Sequence, residues 1–123
     1  MKRILVVDDE ESIRLLFQEE LTDTGYEVVA AESGEEALRM IKQQKPDLIT
    51  LDIRMAQMDG SEFLQELRKM YRDLPVIVCT AYDDYRQDFR LWASDGFITK
   101  SSDISELKAK IAKLLGEKKD VVA

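Results

Sequence analysis

The feature that most constrains this chain is a fivefold alternation of short, β-prone apolar runs with stretches whose apolar residues recur every three or four positions. The runs are Ile4-Leu5-Val6-Val7, Val28-Val29-Ala30-Ala31, Leu48-Ile49-Thr50-Leu51, Val76-Ile77-Val78-Cys79-Thr80 and Phe97-Ile98-Thr99. Apolar side chains on consecutive residues over so few positions fit a strand covered on both faces. Ile13, Leu16, Phe17 and Leu21 form the apolar stripe of a first helix, and Ala37, Leu38 and Ile41 that of a second. Phe63, Leu64, Leu67 and Met70 mark a third, Tyr85, Phe89, Trp92 and Ala93 a fourth from about Asp83, and Leu107, Ile111, Leu114 and Leu115 a fifth. Gly25 stops the first helix, Ser33 with Glu36 reads as a capping box for the second, Pro75 opens the fourth strand, and Asp103 with Glu106 reads as the cap of the last.

Strands that alternate with helices imply a parallel sheet with helices on both faces. Right-handed crossovers then bring every strand's C-terminal end to one edge. The 123 residues, 45% of them hydrophobic, show no internal repeat and no linker. They are expected to form one domain over 1–123, with a charged, frayed tail from about Glu117.

That shared edge gathers polar groups. The first strand runs into Asp8-Asp9, the third ends at Asp52, the fourth at Thr80 and the fifth at Lys100. Singly, each has an ordinary explanation: a cap or turn acid, a β-forming threonine, a solvated lysine. Together they occupy the rim where open α/β sheets bind ligands. Carboxylates about 4 Å apart at an effective dielectric near 20 repel by about 4 kcal/mol per pair, so three of them either protonate or hold a cation. Oxygen donors with no histidine or thiolate cluster favour Mg2+, which binds through one or two carboxylates plus phosphate oxygens. In such a site Asp52 can attack phosphorus to form an aspartyl phosphate. The Thr80 hydroxyl can donate a hydrogen bond to a phosphoryl oxygen, and Lys100 can neutralise its charge.

Composition removes several alternatives. The chain has no histidine, which excludes Ser-His-Asp and Cys-His catalysis and His-ligated zinc on this chain, so a phosphohistidine must arrive on a partner. A net charge of -7 argues against nucleic acid or an anionic membrane surface as direct partners. The single cysteine, Cys79, makes no internal disulfide and reads as a small core residue in a reducing compartment. The N-terminus has too few apolar residues for a secretory segment and no run reaches membrane-spanning length, so a cytoplasmic protein is expected.

In their order and spacing, Asp8-Asp9, Asp52, the stretch Met55-Ala56-Gln57-Met58-Asp59-Gly60, Thr80-Ala81 and Phe97 with Lys100 resemble the receiver domains of two-component response regulators. The resemblance covers Lys2 to about Leu115. It implies a flavodoxin-like, doubly wound five-stranded parallel sheet in the order 2-1-3-4-5, flanked by five helices. It also implies a phosphorylation-dependent signalling switch in which Asp52 accepts a phosphoryl group from a sensor histidine kinase or phosphotransfer protein. Mg2+ would be held by Asp9, Asp52 and the backbone carbonyl of Arg54, and by Asp8 through water. Thr80 and Phe97 would form the switch, and the face of the fourth helix, fifth strand and fifth helix would meet a downstream protein. Such a domain is not an enzyme in the ordinary sense, although it assists its own phosphorylation and dephosphorylation.

The sequence departs from the family pattern in places. Ser101 follows Lys100, and Ala56 stands in the loop after Asp52, both positions where the family often has proline. The stretch from Thr80 to Lys100 is a little shorter than usual. Arg54 and Tyr82 flank the site and are expected to tune access of the attacking water.

Other readings fit less well. A haloacid-dehalogenase-type phosphatase needs a second acid two residues after its nucleophile, where Arg54 stands. A nucleotide hydrolase needs a GxxxxGK cradle, which is absent. A flavodoxin-like electron carrier would bind its cofactor phosphate where Asp8-Asp9-Glu10-Glu11 repel it. A receiver-like binding module that is never phosphorylated would be expected to lack one of Asp8, Asp9, Asp52, Thr80 and Lys100, and all five are present.

Overall fold

The computed structural model describes residues 1–53, 55, 58, 60–80, 94–99 and 104–116. Its strands are β1 (Arg3–Val7), β2 (Glu27–Ala31), β3 (Leu48–Asp52), β4 (Val76–Thr80) and β5 (Gly96–Thr99), and its helices are α1 (Glu11–Thr24), α2 (Gly34–Gln43), α3 (Gly60–Met70) and α4 (Ser105–Leu114). All strand pairs are parallel, in the order β2-β1-β3-β4-β5. This is the doubly wound arrangement that the family resemblance implies. The fourth predicted helix and the charged tail lie outside the described residues, so the last helix of the chain is α4 here.

Alternation along each strand divides the core in two. Leu5, Val7, Ile49, Leu51, Val76 and Val78 meet Ala37 and Ile41 of α2 and Phe63, Leu64 and Leu67 of α3 on one face. Ile4, Val6, Leu48, Ile77, Cys79 and Ile98 meet Phe17 and Leu21 of α1 and Leu107 and Ile111 of α4 on the other. Each fully buried aliphatic or aromatic side chain of this kind contributes about 1.5–3 kcal/mol. Cys79 is buried and in no disulfide, as its apolar run implied.

The helix ends follow the sequence signals in part. Gly25 takes a left-handed φ of 110° after α1, its N–H donates to the Thr22 carbonyl, and the Tyr26 N–H donates to that of Leu21. Ser33 Oγ accepts from the Glu36 N–H at 3.1 Å, while the Glu36 carboxylate accepts from the Glu32 N–H at 2.9 Å. The capping box is thus displaced by one residue on its return arm. The structure places the N-cap of α4 at Ile104, whose own side chain makes no cap bond, and the expected cap residue Asp103 lies outside the described residues. Strand β5 begins at Gly96, one residue before the expected Phe97. Among the described residues no helix is long and apolar enough to cross a membrane.

Chain order positions the site. From β1 the chain crosses over α1 to β2 at one edge, then returns over α2 on the opposite face to β3 on the other side of β1. The sheet therefore changes winding direction between β1 and β3, where a crevice opens at the C-terminal ends of the strands.

Candidate functional site

Val7 of β1 is in register with Leu51 of β3, so Asp8 and Asp52 are each one step past an aligned pair of core residues. Both are buried, at 2% and 5% exposure, whereas Asp9 and Glu10 are exposed. One carboxylate oxygen from each of Asp8, Asp9, Glu10 and Asp52 lies within 4.8 Å of the others. The structure therefore brings together the three aspartates singled out from sequence and adds Glu10. Sequence reasoning missed Glu10 because it reads as a further acid at the start of a helix. The available signal was its place two residues after a strand-end aspartate, the spacing at which an aspartate accepts from the backbone ahead of it.

Asp8 also has the turn role that its sequence position allowed. Its Oδ1 accepts from the Glu10 N–H at 2.9 Å, and its own N–H donates to the Ala31 carbonyl at 3.1 Å. The Arg14 guanidinium, one turn into α1, donates to the Asp8 carbonyl at 2.7 Å and sets a positive charge beside the cluster. The two buried carboxylates still repel. Within 4.8 Å and at an effective dielectric of 20, two such charges repel by at least about 3.5 kcal/mol. A bound cation relieves that repulsion. The donors are oxygens only, two fixed at strand ends and two on the solvent side, a set suited to Mg2+, which keeps part of its water shell.

On its other side Asp52 is held by the start of α3. The Gly60 N–H donates to the Ile53 carbonyl at 2.8 Å. A Cβ at Gly60 would stand 2.7 Å from Ile53 Cα and 2.8 Å from the Asp52 carbonyl oxygen. The helix thus abuts the strand end directly, and only glycine permits the approach. Between them Ile53 and Met55 turn into the core.

The remaining predicted residues are placed as follows. Thr80 closes β4 one residue beyond Cys79, the register partner of Asp52. Thr80 is itself aligned with Thr99 of β5, and its side chain is outside what the structure describes. Phe97 pairs with Val78 and packs, half-buried, against the core cluster that contains Leu51 and Val78. Lys100, which follows Thr99, and Arg54, Ala56, Ala81, Tyr82 and Ser101 lie outside the described residues.

The chain matches the family described as the response regulator receiver domain over residues 4–112. It is similar to the alkaline phosphatase synthesis transcriptional regulatory protein PhoP of Bacillus subtilis (strain 168), at 41% identity over 117 residues, which is 93% of this chain and 48% of that protein. The chain spans about half the length of the curated relatives it matches. Among solved structures it resembles the response regulator protein TrrA of Thermotoga maritima in complex with Mg(2+)-BeF, with a TM-score of 0.90 at 49% identity, covering 93% of this chain and 99% of that one. A chain in the complex of histidine kinase ThkA with TrrA gives a TM-score of 0.88 at 50% identity, covering 94% and 99%.

Proposed function

This chain belongs to the response regulator receiver domain family, and we propose that it works as a phosphorylation-dependent switch in which Asp52 takes a phosphoryl group from the phosphohistidine of a kinase or phosphotransfer partner. The observation that carries this reading is the buried Asp52 carboxylate at the end of β3, within 4.8 Å of those of Asp8 and Asp9. The solved relative TrrA lends support: one structure of it carries Mg(2+)-BeF and another is a complex with a histidine kinase.

The residues that would hold Mg2+ are Asp8, Asp9, Asp52 and the backbone carbonyl of Arg54. When bound, the ion offsets carboxylate and phosphoryl charge that would otherwise repel. A carboxylate oxygen of Asp52 attacks phosphorus, the bond from phosphorus to the partner's imidazole nitrogen breaks, and its electron pair returns to the ring. The Lys100 ammonium neutralises charge on the transferring group, and the Thr80 hydroxyl donates to one of its oxygens. In this way the chain assists its own phosphorylation, and by the same contacts its dephosphorylation.

Thr80 and Phe97 carry the signal outward. When the Thr80 hydroxyl turns to the phosphoryl group, the half-buried Phe97 ring has space to rotate inward. The event is a population shift between two packings, biased by new charge at Asp52. The surface that reads it is formed by the predicted helix from about Asp83, by β5 and by α4, and its partner is a protein. Direct contact with nucleic acid is not part of this reading, given the net charge of -7. The domain extends over 1–123 and works in the cytoplasm.

Incubation with acetyl phosphate and Mg2+, followed by intact mass, tests the proposal. One phosphoryl adduct is expected, labile to hydroxylamine and absent from Asp52→Asn. Absence of any adduct, together with failure to bind Mg2+, would leave an unphosphorylated binding module. Turnover of small phosphate esters would point to a phosphatase.

A further inference from the structure

We infer that Glu10 is a fourth acidic arm of the cation site and that its charge sets how tightly the divalent ion is held before any phosphoryl group arrives. The inference rests on the reading of Asp8, Asp9 and Asp52 as a Mg2+ site.

The geometry that supports it begins with the backbone. Glu10 is the N-cap of α1 in an extended conformation, with φ -89° and ψ 116°. Its N–H is bound by the buried Asp8 carboxylate at 2.9 Å, and its carbonyl accepts from the Ile13 and Arg14 N–H groups at 3.2 and 3.1 Å. The residue is therefore fixed from both sides, by the strand end and by the first helical turn. From that anchor its carboxylate comes within 4.8 Å of one oxygen of each of the three aspartates, while the residue as a whole stays exposed.

Glu11 opens the helix itself and is outside this group of oxygens. Two adjacent glutamates of equal charge thus differ in whether they face the cluster. An exposed carboxylate beside a divalent ion would interact with it across water, screened by salt but not abolished at physiological ionic strength. Its removal is expected to weaken Mg2+ binding about three- to tenfold, an effect set by charge.

The test compares the full chain with Glu10→Gln, Glu11→Gln and Asp9→Asn, all unphosphorylated. Mg2+ affinity is read by isothermal titration calorimetry at two ionic strengths. The proposal expects weaker binding in Glu10→Gln, a gap from wild type that narrows at high salt, and much smaller changes in Glu11→Gln. Equal effects of the two glutamate variants would overturn it, since only net charge would then matter. Wild-type affinity in Glu10→Gln, with binding lost in Asp9→Asn, would overturn it while leaving the aspartate site intact. No Mg2+ binding by the wild type would remove this proposal and the site reading together.

Discussion

Position 60 shows how a single residue positions the site. The atoms that a Cβ there would meet, Ile53 Cα and the Asp52 carbonyl oxygen, belong to the backbone and cannot swing aside. Gly60→Ala should therefore push α3 off the end of β3 and destabilise the protein by about 1–3 kcal/mol, measured by urea unfolding. Gly34→Ala is the matched comparison. Its nearest obstacle is the Met58 sulfur at 2.9 Å, the far part of a flexible side chain, and its cost should stay below about 1 kcal/mol. Asp8 permits a second separation, between its turn and its cluster roles. Asp8→Asn keeps an acceptor for the Glu10 N–H and removes a buried charge, whereas Asp8→Ala loses the acceptor as well. The alanine variant should be less stable than the asparagine variant by about 1 kcal/mol in the same measurement, and both should bind Mg2+ more weakly than the wild type. Of the cluster, the aspartates were legible in the sequence because a carboxylate that ends an apolar run must emerge at a strand end. Glu10 was not, because its approach to the cluster depends on a turn hydrogen bond that no periodicity reveals. The close fit at Gly60 was equally hidden, since a glycine at a helix start has several uses.

At the scale of elements, edge strand β5 is the least supported part of the sheet, with four residues and one neighbouring strand. It is tied in by its lead-in residue. Asp95 Oδ2 accepts from the Val76 N–H at 2.8 Å and from Arg68 Nη2 at 3.1 Å, while the Asp95 N–H donates to the Val76 carbonyl at 2.7 Å. Arg68, near the end of α3, also donates through Nη1 to the Leu74 and Tyr71 carbonyls at 2.7 and 3.2 Å. One guanidinium thus joins the end of α3, the turn into β4 and the entry to β5. Arg68→Ala should destabilise the protein by about 1–3 kcal/mol, because it leaves two partly buried carbonyls without this donor. Hydrogen exchange should show the loss of protection concentrated in β5, and a loss spread evenly over the sheet would mean that this knot has no local role. The five strands and the helices over the described residues were legible from run length and periodicity. The order β2-β1-β3-β4-β5 was not, because runs of similar composition do not state their neighbours, and it entered through the family resemblance. The Arg68 knot was invisible for a related reason: its partners are backbone carbonyls, which carry no sequence signature.

For the whole molecule the governing quantity is negative charge, seven in net excess, with part of it concentrated at one end of the sheet. Sodium chloride screens exposed charges beyond about 8–10 Å but acts weakly on the buried Asp8 and Asp52 pair. Mg2+ held in the cluster would act on that pair directly and would bind the folded state in preference to the unfolded one. By linkage a hundredfold excess over the dissociation constant contributes about 2.7 kcal/mol, or roughly 10 °C in thermal midpoint for a chain of this size. MgCl2 should therefore raise the midpoint well beyond NaCl at equal ionic strength. In Asp52→Asn two effects of opposite sign are expected: a higher midpoint without metal, because a buried charge is gone, and a smaller increment with MgCl2, because a ligand is gone. The two curves should approach each other as MgCl2 increases. A variant less stable than wild type without metal, with the full Mg2+ increment retained, would mean that Asp52 serves the fold rather than the site. Equal increments from MgCl2 and NaCl in the wild type would mean that the clustered carboxylates feel only diffuse counter-ions.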